Sequence, residues 1–271
     1  MERDATRFSG SIPEHYDSGL GPLIFIDYAE DIARRAAALK PARVLETAAG
    51  TGIVSRRLRD HLPTATHLTS TDLAAAMLEI AKTKFKPTEQ IALQPADATA
   101  LPFGDASFDV VVCQFGVMFY PDKDKSYREV HRVLTDGGHY LFNVWDSHRY
   151  NSFGRIPHET AARLFPADPP QFQSIPFSYA FEQVKDSLIA AGFTGITAHV
   201  IGFEKDVGDA SGLARGVTFG SPMIDQIRAR GGVEPKQFYE TLLANYRQAF
   251  GNPGKMSIQA TVFSARKGVG S

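Results

Sequence analysis

The sequence predicts a doubly wound α/β protein, with a mostly parallel central sheet between helices, and three observations support this fold class. Strand-like and helix-like segments alternate from residue 43 to residue 146 in the order βαβαβ, turn, βαβ, which favours parallel strands joined by right-handed crossovers. Residues 110–115 are continuously apolar, as a strand buried on both faces requires. Small residues at 48–52 form a turn between the first strand and the next helix, where backbone N–H groups can approach a ligand.

The individual elements follow from local patterns. Pro22 suits the first turn of a helix that has an apolar face and ends before Pro41. The following elements are predicted as strand 44–46, helix 52–61, strand 65–71, helix 73–84, strand 91–95, strand 110–115, helix 122–134, turn 136–138 and strand 139–145. The less regular remainder is predicted as helix 158–164, helix 181–191, strand 195–203, helices 209–219, 222–230 and 235–250, and strand 257–265.

The composition excludes several classes of protein. With 43% hydrophobic and 22% charged residues and a net charge of -1, the chain is an ordinary soluble protein without the basic excess of a nucleic-acid-binding protein. No apolar run is long enough to span a membrane and the polar start lacks a signal-peptide core, so we expect a cytoplasmic location. Cys113 is the only cysteine, which excludes an internal disulfide and a cysteine-based metal site, and we expect no metal. A monomer and a homodimer fit the sequence equally well.

Three carboxylates follow three successive predicted strands. Glu46, Asp72 and Asp97 each stand at the carboxyl end of a strand, and in an open α/β sheet these ends line one ligand-binding crevice. Asp72 is placed to accept two hydrogen bonds from a ribose diol, and Asp97 could accept one from the exocyclic amine of adenine. Glu46 suits an amino-bearing part of the ligand. The spacing therefore predicts a nucleotide-like cofactor.

Residues 43–146 resemble the class I S-adenosylmethionine (SAM)-dependent methyltransferases, in particular the ubiquinone/menaquinone-biosynthesis C-methyltransferases with a type 11 methyltransferase domain. The matching stretches are V-L-E-T-A-A-G-T-G, T-S-T-D-L-A-A-A-M-L, P-A-D-A-T-A-L-P-F-G-D-A-S-F-D-V-V-V and R-E-V-H-R-V-L-T-D-G-G-H-Y-L-F-N-V-W. The resemblance implies a Rossmann-like fold of seven strands, the last of them antiparallel, and an enzyme that uses SAM and releases S-adenosylhomocysteine. It also implies one domain over 1–271, comprising an N-terminal helical arm or lid at 1–40, a SAM-binding core at 41–146, and substrate-cap insertions at 147–180 and 206–252.

The same resemblance assigns the cofactor residues. The turn would wrap the methionine part of SAM, Asp72 would hold the ribose, and Asp97 with Ala98 would recognise the adenine. The full set expected to bind the cofactor is Glu46, Thr47, Ala48, Gly50, Thr51, Gly52, Asp72, Leu73, Met77, Asp97, Ala98, Gln114 and Phe115. This chain has Ala48 where the family usually has glycine, and an alanine is tolerable there if its φ is negative.

The acceptor side is less defined by the sequence. Methyl transfer from a sulfonium needs mainly alignment of the acceptor and exclusion of water, so a general base is optional, and the weak candidates are His15, Tyr16, Tyr28 and His148. An apolar set outside the SAM-binding stretches predicts a small, apolar or aromatic acceptor methylated on C, N or O. The expected substrate-binding residues are Tyr16, Phe25, Tyr28, Met118, Trp145 and Tyr150.

Two other functions fit part of the pattern. An NAD-dependent oxidoreductase would also use an acid after the second strand, but the third glycine of its G-x-G-x-x-G turn is replaced here by Ser55. A SAM-binding regulatory or scaffold protein without turnover would share the whole cofactor pattern. A turnover assay with candidate acceptors distinguishes it from an enzyme, whereas SAM binding does not.

Overall fold

A computed structural model describes residues 8–177 and 179–269 and contains a single seven-stranded sheet within them. The first seven residues of the predicted arm, Ser178 of the predicted insertion and the last two residues of the chain lie outside the described part. The strands are β1 (Arg43–Glu46), β2 (His67–Asp72), β3 (Ile91–Pro95), β4 (Phe108–Gln114), β5 (Leu134–Trp145), β6 (Phe193–Gly208) and β7 (Gly254–Lys267).

The strand order is β3-β2-β1-β4-β5-β7-β6. The first five strands pair in parallel, and the last strand, β7, runs antiparallel. Because the chain builds outward from β1 in one direction and from β4 in the other, the order reverses between these two neighbours. The predicted fold class is therefore confirmed, and the carboxyl ends of β1 and β4 form the point where such sheets bind ligands.

Ten α-helices accompany the sheet in the described residues. They are α1 (Ile12–Gly19), α2 (Ile26–Ala38), α3 (Ile53–His61), α4 (Ala75–Lys82), α5 (Lys123–Val133), α6 (Ser152–Leu164), α7 (Phe181–Ala190), α8 (Ser211–Phe219), α9 (Met223–Arg230) and α10 (Pro235–Phe250). A π-helical turn precedes α2 and short 3₁₀ turns cover 117–119 and 172–177. None of the helices of the described residues is both long and apolar enough to cross a bilayer.

The chain divides into two compact units. Unit 1 comprises residues up to 26, 145–178 and 201–260, and unit 2 comprises 27–144, 179–200 and the residues from 261 onward. In unit 2, the apolar face of α2 packs with α3 and strands β1, β2 and β4 in one core, which includes the fully buried Ile32, Val44 and Leu58. In unit 1, α1 and α8 approach so closely that a Cβ on Gly19 would lie 2.7 Å from the Cα of Gly216.

Helix α6 is longer than the sequence predicts, beginning at Ser152 instead of residue 158. Pro157 lies inside this helix, although proline lacks the N–H that would bond to the carbonyl four residues earlier. In the structure that carbonyl, on Phe153, accepts a hydrogen bond of 2.6 Å from the hydroxyl of Tyr246. A side chain from α10 thus replaces the missing backbone donor and lets the helix continue through the proline.

The predicted turn at 136–138 is wrong, since these residues lie inside β5. Leu134 pairs with Phe108 and His139 with Val110, so five steps along β5 match two along β4. β5 therefore contains extra residues between these two pairs. Gly137, one of them, has a φ of 76°, a conformation that costs glycine little. The glycine pair therefore forms a bulge, and the strand pairs with β4 on either side of it.

Candidate active site

The turn after β1 is held by its two neighbouring strands. The N–H of Thr47 donates to the carbonyl of Val112 in β4, and the N–H of Ala49 donates to the carbonyl of Thr71 in β2, both at 2.9 Å. Gly50 and Gly52 adopt φ values of 55° and 79°. These left-handed residues turn the chain sharply into α3 and leave the turn without bulky side chains, as close approach of a ligand requires.

Ala48 does not have the negative φ at which an alanine is tolerable in this position. Its φ is 52°, a left-handed conformation that costs an L-residue about 1–2 kcal/mol. The turn accommodates it because Gly116 follows β4 next to it, where a Cβ would lie only 2.4 Å from the Cβ of Ala48. Gly116, at the end of β4, thus provides the space that a glycine at position 48 would otherwise provide.

Phe115, directly after β4, is a second strained residue at this point of the sheet. It has a φ of 51° and is buried, which is uncommon for a bulky side chain. Its N–H bonds to Asn143 of β5, 3.0 Å from the side-chain oxygen and 3.2 Å from the carbonyl oxygen, and its ring meets Tyr28 edge to face at 5.3 Å. Strained backbone held by its surroundings concentrates at functional sites, and here it flanks the turn.

Asp72, at the end of β2, connects the turn to the next helix. Its Oδ2 accepts from the N–H of Gly50 and its Oδ1 accepts from the N–H of Ala74, each at 2.8 Å. Burial raises the pKa of Asp72, while these two backbone hydrogen bonds act in the opposite direction. The carboxylate therefore fixes the shape of the turn, and the remaining lone pairs of its two oxygens can accept from a ligand hydroxyl.

Glu46 points into the protein interior. Its Oε2 accepts hydrogen bonds from the hydroxyls of Ser55 in α3 at 2.5 Å and Ser70 in β2 at 2.7 Å, and the residue is 1% exposed. Burial raises the pKa of Glu46 to about 7 despite these two donors. The predicted contact with an amino group of the ligand stays a prediction, whereas the observed contacts brace β1 against α3 and β2.

We expect Glu46 to make stability fall as the pH rises. Its pKa in the folded protein is raised from 4.5 to about 7, so the folded state holds this proton more tightly than the unfolded state. The free energy of unfolding therefore decreases between about pH 4.5 and pH 7, by an amount on the order of 3 kcal/mol. Urea unfolding of the wild type and Glu46→Gln at pH 4, 6 and 8 measures this, because glutamine keeps the acceptor and cannot ionise.

The variant should gain stability relative to wild type as the pH rises. Glu79→Gln serves as the matched control, since Glu79 is 66% exposed and paired with Lys82 on the surface of α4, where an ion pair contributes little. Parallel stability curves for the wild type and Glu46→Gln would show that Glu46 ionises normally.

The remaining predicted adenine-side residues lie after β2, after β3 and in α4. Asp97 is exposed, and its Oδ1 accepts from the N–H and the hydroxyl of Thr99, at 2.7 and 2.8 Å. Ala98 and Met77 are buried, but Leu73 is 60% exposed. Leu73 precedes α4, which begins at Ala75, so the prediction that it lies on that helix is wrong.

A chain of polar side chains beside the turn is not predicted by the sequence pattern. The Tyr120 hydroxyl lies 3.3 Å from Thr47 Oγ1, to which it donates, and 3.4 Å from the sulfur of Cys113. Cys113 is fully buried, as expected, and burial raises the pKa of its thiol. Tyr120 and Thr47 are 73 residues apart, so only the pairing of β1 with β4 brings them together, and no spacing in the sequence indicates it.

The expected substrate residues fall into both units. In unit 1, Tyr16 stacks on Phe25 at 5.0 Å, and Phe25 lies 6.2 Å from Trp145, which meets Phe153 at 4.9 Å. We call these four residues the ring row. Tyr150 is 45% exposed and lines a cavity of unit 1. In unit 2, Tyr28 and Met118 are almost fully buried.

The histidine candidates for a general base have packing partners in unit 1. His15 lies 5.8 Å from the ring of Phe219. His148 Nε2 lies 3.0 Å from the carbonyl oxygen of Gln173, to which it donates, and its ring contacts Phe177 at 4.5 Å. Burial lowers the pKa of His148, which favours the neutral ring. No described contact selects either histidine as a base.

Comparison with known proteins agrees with this geometry. Residues 45–142 match the model of a methyltransferase domain family. A malonyl-[acyl-carrier protein] O-methyltransferase of Geobacter sulfurreducens is 28% identical over 86% of this chain and 84% of its own length. A demethylmenaquinone methyltransferase of Deinococcus radiodurans is 34% identical over 46% of this chain. The matched part covers about half (52%) of that relative's length.

Solved structures share the fold. The YcgJ protein of Bacillus subtilis superposes with a TM-score of 0.60 at 19% identity, over 90% of this chain and 100% of that chain. Residues 45–142 therefore form a methyltransferase domain, and the relatives named here are methyltransferases. A methyltransferase of this fold, phosphoethanolamine N-methyltransferase 2 of Haemonchus contortus, was solved with S-adenosylhomocysteine. It has a TM-score of 0.63 at 17% identity and covers 98% of this chain and 59% of its own.

The turn after β1 has room and polar groups for a ligand. Thr51 is 1% exposed, and its hydroxyl has no hydrogen-bond partner among the described residues, a costly state that a polar ligand group would relieve. A Cβ on Gly50 would meet only the end of the Met77 side chain, at 3.6 Å, so the space above this residue is open. The exposed Leu73 beside Asp72 offers an apolar surface to a flat base.

The structure also disfavours the NAD-binding alternative. A dinucleotide-binding turn has its third glycine where the helix packs closely on the strand. Here that position is Ser55, which is fully buried and whose hydroxyl bonds to Glu46. Helix α3 is thus joined to β1 by a polar clamp instead of the close backbone contact that glycine allows.

Proposed function

We propose that this methyltransferase transfers the methyl group of SAM to a small, apolar or aromatic acceptor. The observation that carries the proposal is the turn after β1, which is braced on both sides and contains the buried hydroxyl of Thr51, without a hydrogen-bond partner in the described part of the chain. In the proposed arrangement the turn at 48–52 holds the methionine part of the cofactor, with Glu46 and Thr47 supporting it. Gln114 and Phe115 lie beside the sulfonium.

The nucleoside part is assigned to the neighbouring strand ends. Asp72 accepts from the ribose hydroxyls while keeping its hydrogen bonds to Gly50 and Ala74. Asp97 and Ala98 recognise the adenine edge, and Leu73 and Met77 cover the base. An exposed leucine next to a half-buried carboxylate suits a nucleoside, since its base is flat and apolar on its faces and its ribose is polar.

SAM supplies a sulfonium-bound methyl group that is already strongly electrophilic. The protein therefore has to hold the acceptor in line with the methyl–sulfur bond and keep water away. Phe115 is suited to this task because Asn143 and Tyr28 fix both its backbone and its ring. We assign no residue to proton transfer.

The acceptor class rests on two supports. The ring row in unit 1 joins four aromatic side chains in series, with Tyr16 half-buried at one end and the other three buried, and such a surface suits an apolar or aromatic molecule. The relatives include an enzyme named for a quinone precursor and one named for a malonyl thioester on a carrier protein. A hydroquinone ring is therefore the first acceptor to try, and a malonyl thioester tests whether the acceptor is instead a carboxylated acyl chain.

We expect SAM and S-adenosylhomocysteine to bind with micromolar affinity, on the order of −8 kcal/mol. Calorimetry with each ligand, and with NAD as the negative control, measures this. Methyl transfer from labelled SAM to a naphthohydroquinone, to a malonyl thioester and to unrelated protein and RNA then tests the acceptor class. Binding of NAD without SAM would contradict the cofactor assignment, and methylation of the macromolecules alone would contradict the small acceptor. Tight SAM binding without turnover on any acceptor would favour the regulatory alternative.

A further inference from the structure

Unit 1 contains a cavity that the methyl-transfer proposal does not use. Its volume is about 700 Å³, and it is lined by the start of α6, the end of α10, residues 202–204 of β6 and residues 255–259 of β7. None of the residues assigned to SAM lines it. Its volume lies within the range of small-molecule sites, about 300–1,000 Å³.

The walls of this cavity are positively charged. Arg149, Arg155 and Lys255 line it together with one carboxylate, Glu204, so it carries two net positive charges in a chain whose net charge is -1. Lys255 is paired with Glu204 at 2.9 Å, and Arg155 is paired at 2.8 Å with Glu159, which does not line the cavity. We call the cavity lined by Arg149, Arg155, Lys255 and Glu204 the basic cavity.

Arg149 has no carboxylate partner among the described residues. Its guanidinium carbon instead lies 5.5 Å from the ring centroid of Tyr150, a cation–π contact that leaves its N–H donors available. Tyr150 is 45% exposed and Phe250 is half-buried, and both line the basic cavity. The cavity thus combines a fork of charged donors with aromatic surface.

We propose that the basic cavity binds a small molecule that carries a phosphate or carboxylate group on an apolar body. The anionic oxygens pair with Arg149 and Arg155, since guanidinium groups recognise such oxygens in bidentate geometry. The apolar body lies against Tyr150 and Phe250. This is a ligand site in addition to the SAM site, and it stands whether or not the proposed acceptor is correct.

The test uses the full-length chain and phenyl phosphate, which combines both chemical features. Calorimetry on the wild type, Arg149→Gln and the double variant Arg149→Gln/Arg155→Gln should show binding by the wild type and a loss of at least about tenfold in the double variant. Arg228→Gln is the matched control, because Arg228 is 62% exposed in the same unit and does not line the cavity. This control should bind like the wild type.

Two further measurements test the aromatic contact and the anionic head group separately. Tyr150→Leu should weaken phenyl phosphate but not inorganic phosphate, and benzoate in place of phenyl phosphate identifies which head group is preferred. SAM affinity should be the same in the wild type and in all arginine variants, so failure of the SAM assignment is seen separately. No binding of phenyl phosphate or benzoate by the wild type, or equal binding by the double variant, would overturn the proposal. If the double variant does not fold, Arg149→Gln alone decides: weaker binding of phenyl phosphate than by the wild type supports the proposal, and equal binding overturns it.

Discussion

Replacing Asp72 with alanine is expected to weaken SAM binding by roughly 2–4 kcal/mol, since a charged acceptor for two ribose hydroxyls is lost. The structure adds a second reason for a large effect. The same carboxylate accepts from the N–H groups of Gly50 and Ala74, so its removal also loosens the turn that would hold the methionine part. Calorimetric titration of the variant with SAM and S-adenosylhomocysteine measures the loss.

Two variants control for indirect effects of this change. Asp186→Ala removes a carboxylate that is 73% exposed and should leave SAM affinity unchanged. Asp72→Asn retains the shape but turns one acceptor into a donor, so it should lose most of the binding while urea unfolding shows a folded protein. If folded Asp72→Ala binds SAM as tightly as the wild type, the ribose does not lie at Asp72.

Gly52→Val is expected to lower the free energy of unfolding by about 2–5 kcal/mol, from two sources. A β-branched residue at the observed φ of 79° is strained by roughly 1–2 kcal/mol or more. A Cβ at this position would also lie 2.8 Å from the Cβ and 3.0 Å from the Cα of Ala81, so α4 has to move, and such overpacking costs about 1–3 kcal/mol. Urea denaturation monitored by circular dichroism measures the sum.

Gly208→Val is the matched control for the strain alone. Gly208 has a φ of 56°, and a Cβ there would meet nothing within 4 Å. Gly208→Val should lose only the free energy that comes from backbone strain. The difference between the losses of the two variants then gives the cost of overpacking the turn against α4. Equal losses of unfolding free energy in the two variants would mean that α4 moves aside without an energetic cost. The Gly52 variant should also bind SAM poorly, whereas the Gly208 variant should bind it normally.

Local pattern was sufficient for the fold class because the alternation of strands and helices is itself a local property. The strand ends that carry Glu46, Asp72 and Asp97 were predicted to within a few residues, since apolar runs stop where polar side chains begin. Elements whose limits depend on distant partners were predicted less well. Helix α6 continues through Pro157 only because Tyr246 satisfies a carbonyl from another helix, and no sequence window contains both residues.

The role of an individual side chain was harder to predict than its position. Glu46 was expected to face a ligand, and its observed partners are two serines that are 9 and 24 residues away in the sequence. Tyr16, Phe25, Trp145 and Tyr150 were expected to serve together. In unit 1 the first three share the ring row, whereas Tyr150 lines the basic cavity.

The sequence by itself determined the order of the secondary structure, the small-residue turn and the acidic residue after each of three strands, because these depend on residue type and short-range periodicity. Only the tertiary structure decided how the turn is supported. The left-handed φ of Ala48, the strained Phe115 and the contact of Tyr120 with Thr47 all arise where β1 and β4 lie side by side. Their energies come from contacts between segments far apart in the chain, and such contacts exist only once the sheet has formed.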